Sequence, residues 1–243
     1  MSVVNMYDLR SKSDNLVHIG RPSKWGNPFK MKIDRYTGEV PGERERVVLM
    51  YRLWINSQPE LLKALPELKG KNLGCYCAPK KCHGDVLHEL ANAKYLQNWF
   101  SNMKPLDTPF EYQGIVFRTV ENFYQAMKLP KYRDDLRREI ALMNPYEAKK
   151  AIRDEGKYYW DKSWNQEKSL QVMEYGLSIK FAEGTSWANK LLMTEDWQIV
   201  EWNNWGDTFW GKDLKTNTGF NHLGKLLMKQ REKLRDTNHR NSG

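Results

Sequence analysis

No apolar run in this chain approaches the roughly 18 residues of a membrane-spanning helix, and its start lacks the pattern of a secretion signal. The expectation is therefore a cytoplasmic protein with no membrane partner. Cysteine is scarce: Cys75, Cys77 and Cys82 are the only three, and they lie within eight positions of one another. An odd, clustered set is not a disulfide framework and fits a reducing compartment. Internal repeats, low-complexity tracts and a Pro/Gly/Ser-rich linker are also missing. With 243 residues the chain can hold one large domain or two small ones with real cores, and two units would be joined by a short connection.

What is abundant is positive charge and aromatic surface. The formal net charge is +9. Residues 1–98 carry 16 Lys and Arg against 10 Asp and Glu, and the remainder carries 23 against 20, so the excess sits mainly in the first segment. Basic surfaces attract anionic partners such as nucleic acid or phosphorylated nucleotides, and they also serve simple solubility. Ten tryptophans and twelve tyrosines are many for this length, and eight of the tryptophans lie from Trp99 onward. Such rings build cores, and they also stack on bases.

The pattern divides near 92–100. Before it, short apolar runs at Val3–Asn5, Leu16–Ile19 and Asn72–Tyr76 read as strands. Helical spacing is clear over Glu43–Asn56, shorter over Pro59–Leu68, and returns over Gly84–Leu96. After it, Phe110–Phe117 alternates around Tyr112-Gln113-Gly114 as a hairpin would. Helices are expected at Val120–Leu129, Asp134–Leu142, Tyr146–Glu155, Asn165–Phe181, Ser186–Met193 and Phe220–Arg235, with one further strand at Ile199–Trp202. The expected architecture is two-domain: a small α/β domain over 1–95 and a helix-rich α+β domain over 96–243.

The stretch Thr119–Lys128 carries the most chemistry. Read as one helix, it puts Glu121, Gln125 and Lys128 at i, i+4 and i+7 on one face, among Phe123, Tyr124, Ala126 and Met127. An acid, an amide and an amine among apolar neighbours suit a cleft, where an acid and a lysine shift each other's pKa. A solvated stripe on an amphipathic helix has the same spacing. The surroundings are distinctive: Phe100-Ser101-Asn102-Met103 upstream, Lys180-Phe181 downstream, then Asp207-Thr208-Phe209-Trp210-Gly211, and Gly219-Phe220-Asn221-His222-Leu223-Gly224 running on to Met228 and Arg231. In order and spacing this set resembles the NADAR (YbiA-like) family over about residues 98–235. Met103, Arg118 and Asn122 depart from the residues frequent there, an aromatic, a proline and a histidine.

That resemblance implies hydrolysis of an N-glycosidic bond between a base and ribose, with no metal and no cofactor. By residue matching it implies Glu121, Lys128 and Asp207 as catalytic, with Lys128 attacking C1, Glu121 handling protons and Asp207 serving the ribose hydroxyls or protonation. Asn102, Gln125, Arg153, Lys180, Trp210, Gly211 and Asn221 become candidates for substrate binding. Structural alternatives exist for several of these. Asp207 can cap a turn, Trp210 can be core, Asn221 can cap the last helix, and Lys180 can complement a helix dipole. The substrate implied is ADP-ribose on modified guanine in nucleic acid, in a bacterial cell or a phage-infected host. The alternatives are aminopyrimidine ribose phosphates of riboflavin synthesis, or a module that binds ADP-ribose or NAD without turnover.

The first segment has its own motifs, Gly20-Arg21-Pro22-Ser23-Lys24-Trp25-Gly26-Asn27-Pro28-Phe29 and Cys75-Tyr76-Cys77-Ala78-Pro79-Lys80-Lys81-Cys82-His83-Gly84-Asp85. These resemble an uncharacterised domain family of phage and bacterial proteins, over about residues 1–92, which brings no assigned activity. Adjacent Cys82 and His83 are awkward for one tetrahedral ion, and no second C-x-x-C follows, so no metal is expected. The open readings are a structural loop and an anion or nucleic-acid site, formed by Arg21, Lys24, Asn27, Lys80, Lys81, Cys82 and His83 at the start of a helix.

Overall fold

A computed structural model describes residues 2–7, 15–92, 100–154 and 156–241. They fall into two compact units, Met1–Trp99 with Asp196–Gly224, and Phe100–Glu195 with Lys225–Gly243. The chain is thus a small α/β unit and a helix-rich α+β unit, and the first of them takes back a late segment of the sequence.

The first unit is built on three short strands, β1 (Val3–Asn5), β2 (Leu16–His18) and, later in the chain, β5 (Asn72–Cys75). The sheet order is β1-β5-β2, with both neighbours parallel to the central strand. Parallel strands need covered faces, and β5 is accordingly apolar or small, with Leu73, Gly74 and Cys75 buried. Between β2 and β5 come the small ribbon β3 (Ile33–Asp34) and β4 (Gly38–Glu39), then α1 (Glu43–Ile55) and α2 (Pro59–Ala64). α3 (His83–Asn92) follows β5. Val48, Tyr51 and Ile55 of α1 share one core with Val86, Leu87 and Leu90 of α3. Gly84 lets the start of α3 press on the sheet, since a Cβ there would meet Val3 Cγ1 at 2.8 Å and Ile19 Cδ1 at 2.9 Å.

The late segment joins the first unit because its large apolar residues do: Trp202 and Leu214 are buried in that same core. It carries one short parallel pair, β8 (Trp202–Asn203) and β9 (Lys212–Asp213). The strand expected at Ile199–Trp202 is reduced to Trp202–Asn203. The preceding backbone is served by a side chain instead, as Asn221 accepts from Glu201 N–H at 2.9 Å and donates to the Ile199 carbonyl at 2.9 Å.

The second unit opens with a hairpin, β6 (Pro105–Tyr112) and β7 (Ile115–Thr119), turning through Gln113 and Gly114 at φ 52° and 75°. Positive φ at both central residues matches the right-handed twist of paired strands. Next come α4 (Val120–Ala126), α5 (Asp134–Leu142), α6 (Pro145–Asp154), α7 (Gln166–Lys180) and α8 (Ser186–Leu192). α9 (His222–Asn241) has its first three residues in the first unit and the rest in the second.

All seven residues of α4 are buried, and α4 packs on α5, α6, α7 and β7. Thr119 caps it, its hydroxyl accepting from Asn122 N–H at 3.0 Å. The Asn122 amide then donates to the carbonyls of Ile140 at 2.7 Å and Met143 at 2.9 Å, tying α4 to the end of α5.

Several expected helices have other bounds; the last runs over His222–Asn241 rather than Phe220–Arg235. The one at Pro59–Leu68 changes to a 3-10 turn over Leu65–Leu68, because Pro66 cannot continue an α-helix. The one starting at Gly84 begins at His83 and is described to Asn92, and 93–96 of that expectation lie outside the described residues, as does Glu155 of the Tyr146–Glu155 helix. Helix α4 stops at Ala126 rather than Leu129. Pro130 disfavours helical backbone at Leu129, and the N–H groups of Lys128 and Leu129 bond three residues back, to Gln125 and Ala126. Lys128 therefore stands on the turn after the helix.

Replacing Asn122 by Ala removes two donors from otherwise buried carbonyls, at a cost of about 2–3 kcal/mol. Urea unfolding of Asn122→Ala should show that loss against wild type, and an unchanged midpoint would mean that the Ile140 and Met143 carbonyls find other partners.

Candidate active site

In the second unit Glu121, Gln125 and Lys128 come together as the spacing suggested, although only the first two are helical. Glu121 is 6% exposed, and its Oε1 accepts from Gln125 Nε2 at 2.7 Å. Its backbone N–H donates to the Asn102 carbonyl at 3.1 Å, which brings the loop of Asn102 onto the start of α4. Asn102 is itself buried and donates from Nδ2 to Met173 Sδ at 3.2 Å.

Lys128 is half-buried, with its Nζ 4.7 Å from the Tyr124 ring centre and 4.9 Å from that of Trp160. Aromatic faces hold a cation but hydrate it poorly. Burial pulls its pKa down to about 8, Glu121 opposes that fall, and the neighbouring positive charge of Lys149 adds to it. The turn is fixed at both ends. Asp161 N–H donates to the Lys128 carbonyl at 2.7 Å, and the Arg137 guanidinium clasps the Leu129 carbonyl at 2.6 and 3.1 Å. Three polar atoms around this group lack a partner among the described residues: Asn102 Oδ1, Gln125 Oε1 and Trp160 Nε1. Two acceptors and a donor, buried beside an acid and an amine, are what a polyhydroxylated ligand would satisfy.

The sequence reading did not include Tyr124, Trp160, Lys149 or Arg137 in the site. Tyr124 was within reach of it, since a residue at i−4 from Lys128 shares a helix face. Trp160 arrives from 32 positions along the chain and left no local signal.

Other predicted residues serve the frame. Lys180 is 1% exposed, donates to the carbonyls of Phe100 at 3.2 Å and Ser101 at 2.8 Å, and stands 4.3 Å from the Trp187 ring centre. Arg153 is exposed and paired with Asp154 at 2.7 Å.

Asp207, Trp210, Gly211 and Asn221 belong to the first unit. Asp207 Oδ1 accepts from the N–H groups of Phe209 at 3.1 Å and Trp210 at 2.9 Å, and Asn203 holds the same turn from the other side. Trp210 is half-buried against Phe209. Gly211 is required by packing, since a Cβ there would collide with the Glu201 carbonyl oxygen. Asn221 precedes the last helix at φ 54° and spends its side chain on Ile199 and Glu201 rather than on the helix.

Also in the first unit, a cavity of about 530 Å³ lies beyond the carboxyl ends of β2 and β5, the usual ligand position in open parallel sheets. Arg21, Asn27, Lys81, Cys82 and His83 of the predicted anion site line it, together with Arg44. Lys24 and Lys80 do not. They pair with Glu67 at 2.7 Å and Glu39 at 3.3 Å. Nor does the start of α3 offer free N–H groups as expected, because Gly84 N–H bonds Cys82 Sγ at 3.3 Å and Cys82 N–H bonds Asp85 at 2.8 Å.

Cys75, Cys82 and His83, all buried, bring their donor atoms within 4.8 Å of one another, and Cys77 interacts electrostatically with both other thiols. Adjacent Cys82 and His83, whose spacing read as awkward for one tetrahedral ion, are both in this set. Interaction with Cys75 and Cys82, with the Arg44 guanidinium adding to it, pulls the Cys77 pKa far down, whereas Cys75, Cys77 and burial push that of Cys82 up.

Two family models match the chain, one described as the NADAR domain over residues 87–235 and one as a domain of unknown function, DUF4326, over 5–93. An N-glycosidase of Nostoc punctiforme is 33% identical over 139 residues, 56% of this chain and 85% of the relative. A riboflavin biosynthesis protein of Vibrio vulnificus is 32% identical over 124 residues, half of this chain but 32% of that longer protein. In the first unit, an uncharacterised 12.4 kDa protein of phage T4, from the nrdA-td intergenic region, is 37% identical over 94 residues, 37% of this chain and 76% of the phage protein.

The Lys128 amine should titrate near pH 8, read as the pH dependence of its reductive methylation followed by peptide mass spectrometry. Glu121→Gln removes the group that opposes the fall and should move the midpoint below 8, whereas Trp160→Ala admits water and should move it up toward the ordinary lysine range. A midpoint that neither change moves would mean the amine is not held by this group.

Proposed function

The chain belongs to the NADAR family through residues 87–235, and from that membership we propose that it is an N-glycosidase whose reaction runs at Glu121 and Lys128. The observation that carries the proposal is the amine of Lys128, with its pKa at about 8, set between two aromatic rings beside the buried Glu121 carboxylate. A lysine so placed has a sizeable neutral fraction near neutral pH and can act as a nucleophile. Family membership and the Nostoc N-glycosidase support a glycosidase-type enzyme.

The proposed step begins with attack of neutral Nζ on ribose C1. The C1–N bond to the base breaks, and its electron pair leaves with the base. Glu121 takes the proton released by the attacking nitrogen and hands it to that base. Ring opening gives an imine between Nζ and C1. Water then hydrolyses the imine, releasing the sugar and restoring the lysine. The amide oxygens of Asn102 and Gln125 accept from ribose hydroxyls in the bound state. Asp207 takes no step in this scheme, its Oδ1 being engaged as a turn cap.

We propose ADP-ribose attached to guanine in nucleic acid as the substrate, removal of which reverses a modification. The positive charge concentrated in residues 1–98 supports it, because such charge neutralises a phosphate backbone without reading sequence. A second reading, ribosyl-aminopyrimidine phosphates, is favoured by the Vibrio relative, whose name places it in riboflavin biosynthesis.

The test is release of free ADP-ribose from ADP-ribosylated guanine DNA. Wild type should turn over, and Glu121→Gln and Lys128→Ala should each lose about 10²–10⁴-fold in rate, with kcat/KM of wild type rising through about pH 8 as the amine loses its proton. Turnover of ribosyl-aminopyrimidine phosphates alone would move the protein to the second reading. Inactivity on both, with ADP-ribose still bound, would make it a binding module.

A further inference from the structure

The first unit contains a second chemical centre that the glycosidase chemistry does not use. Its three cysteines and His83 lie between the end of the central strand and the start of α3. Cys75 ends the central strand β5, Cys77 lies two residues on, and Cys82 and His83 begin α3. The sulfurs of Cys75 and Cys82 and a ring nitrogen of His83 lie within 4.8 Å of one another, and Cys77, outside that set, interacts electrostatically with both other thiols. For zinc–sulfur bonds of about 2.3 Å, a tetrahedral ion needs donors about 3.8 Å apart, so only small side-chain shifts separate this cluster from a coordination shell.

The imidazole is prepared for that role. His83 is 6% exposed, and its Nε2 bonds the Ile19 carbonyl at 2.8 Å. A carbonyl only accepts, so Nε2 carries the proton and Nδ1 of the neutral ring keeps its lone pair. Ligating histidines are held in this way through their other nitrogen. The charge is also provided for: three thiolates around a divalent ion leave one negative charge, and the Arg44 guanidinium interacts electrostatically with Cys77. Arg44 is fixed there by Glu39 at 2.7 Å and by the Lys81 carbonyl at 3.1 Å. Three soft sulfur donors and one imidazole favour zinc over magnesium, calcium or manganese.

We propose that Cys75, Cys77, Cys82 and His83 bind one zinc ion, joining the end of the central strand to the start of α3 at the wall of the first unit's cavity. Binding displaces the thiol protons still present, which leave to solvent as the metal enters. The ion adds a cross-link to an α/β unit with only three short strands in its main sheet.

The test is metal analysis of the full-length chain, purified without chelators. One equivalent of zinc is expected, falling to none in Cys77→Ser and in Cys82→Ser, with an unaltered content in Lys24→Ala as a control. Cobalt(II) added to the metal-stripped wild type should give the intense visible absorption of a tetrahedral thiolate site. That reading decides the matter if the serine variants fail to fold. No zinc together with no such absorption would overturn the proposal. A disulfide joining two of the three cysteines in freshly purified protein would do the same, as would full zinc content in the serine variants.

Discussion

A lysine kept from water beside a single carboxylate makes strict demands on everything around it. The aromatic faces of Tyr124 and Trp160 attract the Lys128 ammonium without replacing its hydration, so its charge depends on Glu121. If Glu121 could swing away, the balance would be lost, and α4 is fastened accordingly. Its first turn is capped by Thr119, its second residue donates to Asn102, and Asn122 secures it to α5. Glycine at 176 allows α7 to lie against it, since a Cβ there would sit 2.8 Å from Val120 Cγ1. The break after Ala126 serves the same end. A continued helix would leave Lys128 on the α4 cylinder, whereas the turn before Pro130 sets it between Tyr124 and Trp160, with Arg137 and Asp161 holding the backbone.

The first unit meets a different constraint with similar means. Three strands of three or four residues supply few ladder hydrogen bonds, so cohesion must come from side chains reaching backbone. Tyr51 donates to the Trp25 carbonyl at 2.8 Å, Asn27 donates to that of Val47 at 3.0 Å, and Asn5 donates to that of Ala78 at 2.5 Å. The late segment is held by the same device. Asn221 takes both the donor and the acceptor of Ile199–Glu201, much as a neighbouring strand would, and glycine at 211 permits the approach that makes this possible. Asn27, Gly211 and Asn221 carry motif positions, yet the contacts they make maintain the backbone.

This explains what the sequence could and could not disclose. Local chemistry was legible: the Gln113-Gly114 turn, the helix over Glu43–Ile55 and the association of Glu121 with Gln125 all follow from spacing and turn preference. Helix ends were misjudged at Pro66 and Pro130, where the break outweighs the continuing apolar pattern. The assignment of 196–224 to the first unit was hidden, because it depends on where Trp202 and Leu214 find their core rather than on any composition change. Lys180 shows the opposite limit. Read from the sequence as a substrate contact or a complement to the helix dipole, it instead donates from Nζ to two carbonyls more than 75 residues upstream.

The contrast between Lys180 and Lys128 bears on the choice of nucleophile. Both are withdrawn from water beside an aromatic ring. Lys180 donates to two carbonyl oxygens, as a structural cation does. Lys128 faces rings and a single acid, and burial outweighs that acid, drawing its pKa to about 8. A lysine meant only to hold phosphate gains nothing from such placement, since phosphate binding favours a fully charged, accessible ammonium. At pH 7 a group of that pKa is neutral in about a tenth of molecules, a fraction available to the attack proposed at C1. Direct attack by water would need Glu121 as a base and would leave the desolvation of Lys128 without a use. The energetic cost of that desolvation is therefore the strongest physical support for lysine attack.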